Sequence, residues 1–212
     1  MIVDLTHTLN NNITVYPGTV HPTFEPGNTI KKDSFAELNI KMSTHSGTHI
    51  DAPAHIISNG KSLDKFPIEK FVGKAIVIDC SEKDSIGLDL LKPLEARIKQ
   101  THFILFYSGW QEKWNTPNYF DEFPTLTTEA IEWLLNFDLK ALGFDTISVD
   151  KLKSTKLPNH NLLLEKEILI IENMTNLDKL INIQFELNCI PLKIENSDGS
   201  PVRAFARILS EQ

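Results

Sequence analysis

The chain has only two cysteines in 212 residues, Cys80 and Cys189, and they form no C-x-x-C pair. A disulfide framework is therefore not expected. Cys80 closes one apolar run and Cys189 sits inside another, so both read as buried free thiols. Long apolar stretches are absent too: none approaches the ~18 residues that a membrane-crossing helix needs. Met1 to His7 has no basic start and no apolar core, so no signal peptide is expected. Repeats, low-complexity tracts and Pro/Gly/Ser linkers are missing, which makes a single domain over 1–212 the economical organisation. Positive charge is in deficit, with 21 Lys and Arg against 28 Asp and Glu, a net charge of −7. An acidic surface repels phosphate backbones and anionic lipid, so neither nucleic acid nor membrane is an expected partner. A small-molecule substrate and a soluble cytoplasmic location are the expectations.

What is present is ordinary globular material. Apolar residues at 41% and charged residues at 23% exclude a disordered, collagenous or coiled-coil chain. A chain of this length buries about 70% of its unfolded surface and needs no staple. Ile2 to Leu9 predicts a first strand, followed by a stretch rich in turn residues. Ala36, Leu38, Ile40 and Met42 alternate with polar neighbours, predicting a half-buried strand with its apolar side on a core. Short apolar runs at 74–79, 102–107, 141–144 and 168–171 predict further strands. Helical patterns lie between them at Leu90 to Lys99, Thr128 to Asn136 and Asn161 to Lys166, with Thr127 placed to cap the second. This is an α/β or α+β class with a mixed β-sheet and flanking helices.

The chemistry concentrates in His45-Ser46-Gly47-Thr48-His49-Ile50-Asp51-Ala52-Pro53-Ala54-His55, which holds three of the seven histidines. Imidazole and carboxylate are the usual ligands of zinc, manganese or iron. A regular helix would rotate Asp51 about 240° away from His45, and Pro53 would break it. A straight strand would stretch His45 to His55 over roughly 33 Å. One site therefore needs a strand that bends, and Gly47 supplies a permissive backbone for the bend. Further on, Glu172 follows a buried-strand pattern, a position that suits either a catalytic carboxylate or a solvated strand end. His160 opens a short helical run, where it serves as a helix-start polar residue or as a ligand.

The pattern His-x-Gly-Thr-His-x-Asp-x-Pro-x-His resembles the signature of the metal-dependent cyclase-like hydrolases, a family that includes formamidases and isatin hydrolases. The likeness continues in Val3 to His7, Val15 to Gly18, Phe106 to Trp110, Gly143 to Asp150 and Asp198 to Ala204. It implies a swivelling β/β/α fold, a homodimer, and one or two divalent metals per chain, zinc ahead of manganese. It also implies His45, His49 and Asp51 as ligands of a first metal, with His160 on a second and both Asp51 and Glu172 bridging. His55 becomes the proton donor and acceptor, and the reaction becomes metal-assisted hydrolysis of a C–N bond in a formamide, cyclic amide or imide. Arylformamidase activity is one form of that reaction.

Two stretches depart from the formamidases. Their usual Trp-Pro-Gly-Asp is Tyr16-Pro17-Gly18-Thr19 here, so an aryl substrate loses a wall and a carboxylate. The segment Lys151 to Lys156 is basic, consistent with a solvated loop at the rim of a site. Tyr16 is the expected substrate-side residue, with Phe24 and Trp110 as further candidate walls. A lyase or dehydratase of the same fold, using His55 on a C–H bond, and a metal-binding protein without catalysis are the alternative readings.

Overall fold

A computed structural model of the chain describes residues 1–209. Nine segments form its main sheet: β1 (Ile2–Asp4), β2 (His49–Asp51), β3 (Val72–Asp79), β4 (Phe103–Tyr107), β5 (Ala141–Phe144), β6 (Leu169–Glu172), β7 (Phe185–Asn188), β8 (Gly199–Pro201) and β9 (Phe205–Ile208). Their order across the sheet is β1-β9-β7-β3-β4-β5-β6-β2-β8. The four central strands β3 to β6 run parallel, and the other pairings within this sheet are antiparallel. The fold is therefore mixed α/β, as the alternation of apolar runs and helical patterns predicts.

Parallel neighbours need a crossover, and helices supply each one. Leu88–Leu91 and Glu95–Ile98 connect β3 to β4, Thr128–Leu134 leads to β5, and Pro158–Leu164 leads to β6. The apolar pattern predicts one helix from Leu90 to Lys99 in the first crossover. It is broken by a 3₁₀ turn at Lys92–Leu94, because Pro93 has no N–H to continue the ladder. The last helix starts earlier than its apolar pattern suggests, with Pro158 in its first turn, where the missing N–H costs nothing. Thr127 does cap its helix, its hydroxyl accepting from the Ala130 N–H at 3.2 Å.

Alternation along β3 divides the core. Ile76 and Ile78 pack under the helices with Ile104, Ile131, Leu163 and Ile170. Ala75 and Val77 face the other way, against Leu5, Leu105, Phe185 and Leu187. Burial on both faces is why these strands read as near-continuous apolar runs. Both cysteines are buried and unpaired. No helix among the described residues is long and apolar enough to cross a membrane.

Two expectations about the N-terminal third are corrected. The first strand ends at Asp4 instead of Leu9. The strand expected to be half-buried, now Glu37–Lys41, pairs only with Thr23–Asn28 in a separate hairpin. All five of its residues are exposed, Leu38 and Ile40 by more than half. Alternation reports that a strand has an apolar face; it does not say that the same chain covers it.

Candidate metal centre and active site

Sheet register assembles the site from distant sequence. β2 pairs antiparallel with β6, setting His49 across from Glu172 and Ile50 across from Ile171. Gly47 at φ +63° turns the chain before β2 and brings His45 alongside. A Cβ at Gly47 would lie 2.5 Å from Leu9 Cδ2, so a side chain there would have to push the end of Leu9 aside. After β2, the 3₁₀ turn Pro53–His55 folds His55 back over His45, their ring centroids 4.0 Å apart. The chain thus bends at Gly47 and again at Pro53, and neither straight geometry applies. His160 enters from the first turn of the Pro158–Leu164 helix. All six residues singled out by the sequence meet in one place.

Three of the four imidazoles, His45, His49 and His160, are held by specific acceptors. His49 Nδ1 donates to the Gly47 carbonyl at 2.8 Å, leaving Nε2 3.4 Å from Asp51 Oδ1 and 3.5 Å from Glu172 Oε2. His160 Nδ1 contacts Asp150 Oδ2 at 2.7 Å, leaving Nε2 3.4 Å from Glu172 Oε1 and 3.9 Å from Asp51 Oδ2. His45 Nδ1 sits 2.8 Å from Asp51 Oδ1. Anchoring one ring nitrogen so that the other faces a common centre is how proteins orient metal ligands.

Burial works to raise the Asp51 pKa, but the imidazoles of His45 and His49 overcome it and hold the carboxyl ionised. Burial likewise lowers the His45 pKa, yet Asp51 and Asp198 push it up to about 10. His160 behaves the same way, with Asp150 and Glu172 pushing it up to about 10. His55 goes the other way: burial depresses its pKa, and its neighbours His45 and His160 add to that. Asp51 and Glu172 oppose that shift without reversing it, so the net direction favours the unprotonated imidazole.

The donor set fits a divalent cation. Asp51 Oδ2 is buried without any hydrogen-bond partner, an unsatisfied position that a bound ion would complete. Among the described residues two groups converge within 4.8 Å, His45/Asp51/His55 and His49/Asp51/Glu172, and they share Asp51. Nitrogen and carboxylate donors of this kind suit a divalent metal.

The centre opens into a cavity of about 340 Å³ lined by Val15, Tyr16, Thr19, Ile147, Ser154 and Leu157, among others. Tyr16 is on that wall, its hydroxyl donating to the Leu152 carbonyl at 3.3 Å. Trp110 is not: its indole N–H donates to the Tyr119 carbonyl and its ring packs on Phe123. Phe24 lies on the outer hairpin, away from the cavity. Asp150, Asp198 and Asn173 are supporting residues that sequence reasoning gave no role. The first two lie within stretches already similar to family motifs, the one signal that could have drawn attention to them.

Residues 3–151 match the family described as "Putative cyclase". The chain belongs to the cyclase family. Kynurenine formamidase of Bacillus cytotoxicus is 33% identical over 208 residues, covering 98% of this chain and 97% of that protein. The Geobacillus thermodenitrificans enzyme of the same name is 32% identical, covering 97% and 96%. Among solved structures, isatin hydrolase A from Labrenzia aggregata, bound to benzyl benzoate, superimposes with a TM-score of 0.87 at 29% identity, covering 100% and 94%. An isatin hydrolase bound to the product analogue thioisatinate gives 0.88 at 27%, covering 99% and 92%. The likeness to these formamidases and isatin hydrolases runs over nearly the full length of the chain.

Proposed function

We propose that this protein hydrolyses the C–N bond of a small formamide, cyclic amide or imide, an arylformamide among them, with His45, His49, Asp51, His160 and Glu172 holding one or two divalent cations. The observation that carries the reading is the buried Asp51 Oδ2, without a hydrogen bond and 3.9 Å from His160 Nε2, on a carboxylate that converges with His49 and Glu172. A bound divalent cation polarises the scissile carbonyl and lowers the pKa of water from about 15.7 towards ~7. His55, neutral and at the cavity wall, takes the proton of the attacking water and returns it to the leaving nitrogen, conserving the proton overall. Val15 and Tyr16, which line the cavity, confine the substrate there. Zinc is the metal assigned first and manganese second.

Residues 1–212 are assigned to one functional unit, of which the last three lie outside the described residues. A cytoplasmic homodimer is the assembly proposed, resting on the family resemblance and on the exposed apolar hairpin at Thr23–Asn28 and Glu37–Lys41.

Two variants separate ligand from proton carrier. His49→Ala is expected to lose metal and activity together, because one strong ligand disappears. His55→Ala is expected to keep its metal and lose turnover by about 10² to 10⁴-fold. Metal content by elemental analysis and turnover on a formamide, cyclic-amide and imide panel decide it. Equal metal loss in the two variants would make His55 a ligand. Release of a dehydrated product without uptake of water would favour the lyase reading.

A further inference from the structure

The turn between Ser197 and Gly199 brings a carboxylate against two histidines from the opposite end of the sequence. Asp198 Oδ2 lies 3.0 Å from His45 Nε2 and 3.7 Å from His55 Nδ1. Its other oxygen accepts from the Thr44 hydroxyl at 3.0 Å, and its backbone carbonyl accepts from the Ala52 N–H at 2.8 Å. The turn is thus tied to residues just before and just after the strand that carries His49 and Asp51. Gly199 is built around the same ring: a Cβ there would meet His45 Cε1 at 2.6 Å. Register sets Gly199 directly across from Asp51.

The consequence for His45 follows from its two nitrogens. Nδ1 faces Asp51 and the centre, while Nε2 faces Asp198 at the solvent side. Once Nδ1 is committed to a cation, Nε2 must carry the ring proton, and Asp198 is the acceptor placed for it. For His55 the same oxygen lies 3.7 Å from Nδ1, outside hydrogen-bond distance, so its hold on that ring is electrostatic and tightens only if the ring moves toward it.

We infer that Asp198 is a positioning residue that aligns His45 as a metal ligand and His55 as the proton carrier through one shared carboxylate oxygen. The inference rests on the proposed metal-dependent hydrolysis, and its test is independent of any substrate in its first arm. Zinc affinity of the full chain is measured by competition with a chromophoric chelator for the wild type, Asp198→Ala and Asp198→Asn. Asparagine can turn its amide oxygen toward the histidines and its NH₂ toward Thr44, whose hydroxyl can accept. Asp198→Ala is expected to weaken zinc binding about 10 to 100-fold, and Asp198→Asn to recover most of that loss. At saturating zinc, Asp198→Ala is expected to lower kcat by about tenfold or more with KM little changed. Equal loss of zinc affinity in both variants, tracking a shared fall in Tm, would mean that Asp198 only holds the turn together and would overturn the inference. So would zinc affinity and kcat in Asp198→Ala within about twofold of wild type. A wild type that binds no zinc or manganese would instead overturn the proposed function and leave the turn geometry without a ligand to align.

Discussion

Gly47→Ala tests whether the bend before β2 assembles the metal centre. Two costs are separable in the structure. The left-handed backbone at φ +63° costs an L-residue about 1–2 kcal/mol. The added methyl, 2.5 Å from Leu9 Cδ2, forces that partly buried side chain aside, and overpacking of this kind costs about 1–3 kcal/mol. Together they come to about 3 kcal/mol, or a Tm lower by about 6–12 °C in a domain of this size. Gly18→Ala is the internal control. Gly18 has φ +92°, but a Cβ there would meet nothing within 4 Å, so it carries the backbone cost alone. The difference between the two variants isolates the steric part. A second readout follows from the Gly47 carbonyl, which accepts from His49 Nδ1 at 2.8 Å and from Asn173 Nδ2 at 2.9 Å. Shifting it should release His49 and weaken zinc binding measured by chelator competition, while Gly18→Ala leaves zinc affinity unchanged. Scanning calorimetry that finds the two variants within about 2 °C of each other, with equal zinc affinity, would refute the argument.

Three further outcomes are expected. Thr127→Ala removes the cap on the Thr128–Leu134 helix and should cost about 1 kcal/mol, visible as a Tm drop of about 2–4 °C with metal content unchanged. Burial holds His7, stacked on Trp114, down at about 4 from 6.5. Its folded-state pKa is depressed, so the unfolded chain binds the proton first. The stability held above pH 6.5 is therefore lost as pH falls toward 4, by about 1–2 kcal/mol at pH 5. Urea midpoints at pH 7.5 and pH 5 should separate less in His7→Gln than in wild type; an equal separation would remove His7 as the cause. Chelation of the metal should abolish turnover and lower the Tm, since a cation held at 100 times its Kd stabilises by about 2.7 kcal/mol. A chelator that stops turnover but leaves the Tm fixed would place the ion outside the buried centre.

The apolar runs at 74–79, 102–107, 141–144 and 168–171 are legible in sequence because these strands are buried on both faces, and burial on both faces writes a continuous apolar signal. The His/Asp motif is legible because its ligands are close in sequence and Gly47 and Pro53 mark the bends between them. Other features depend on relations between distant segments, which local pattern does not encode. Antiparallel register between β2 and β6 sets Glu172 opposite His49, 123 positions away, and a helix start delivers His160; family resemblance, not periodicity, singles these two out. The roles of Asp150 and Asp198 are hidden, because a polar residue in a turn looks the same whether it is solvated or gripping a histidine. The strand at Glu37–Lys41 errs in the other direction: its alternation describes an apolar face, and only packing decides whether that face is covered. Local sequence determined which segments could be strands, helices and ligands; the tertiary structure decided which of them meet, because meeting depends on sheet order, register and the geometry of turns.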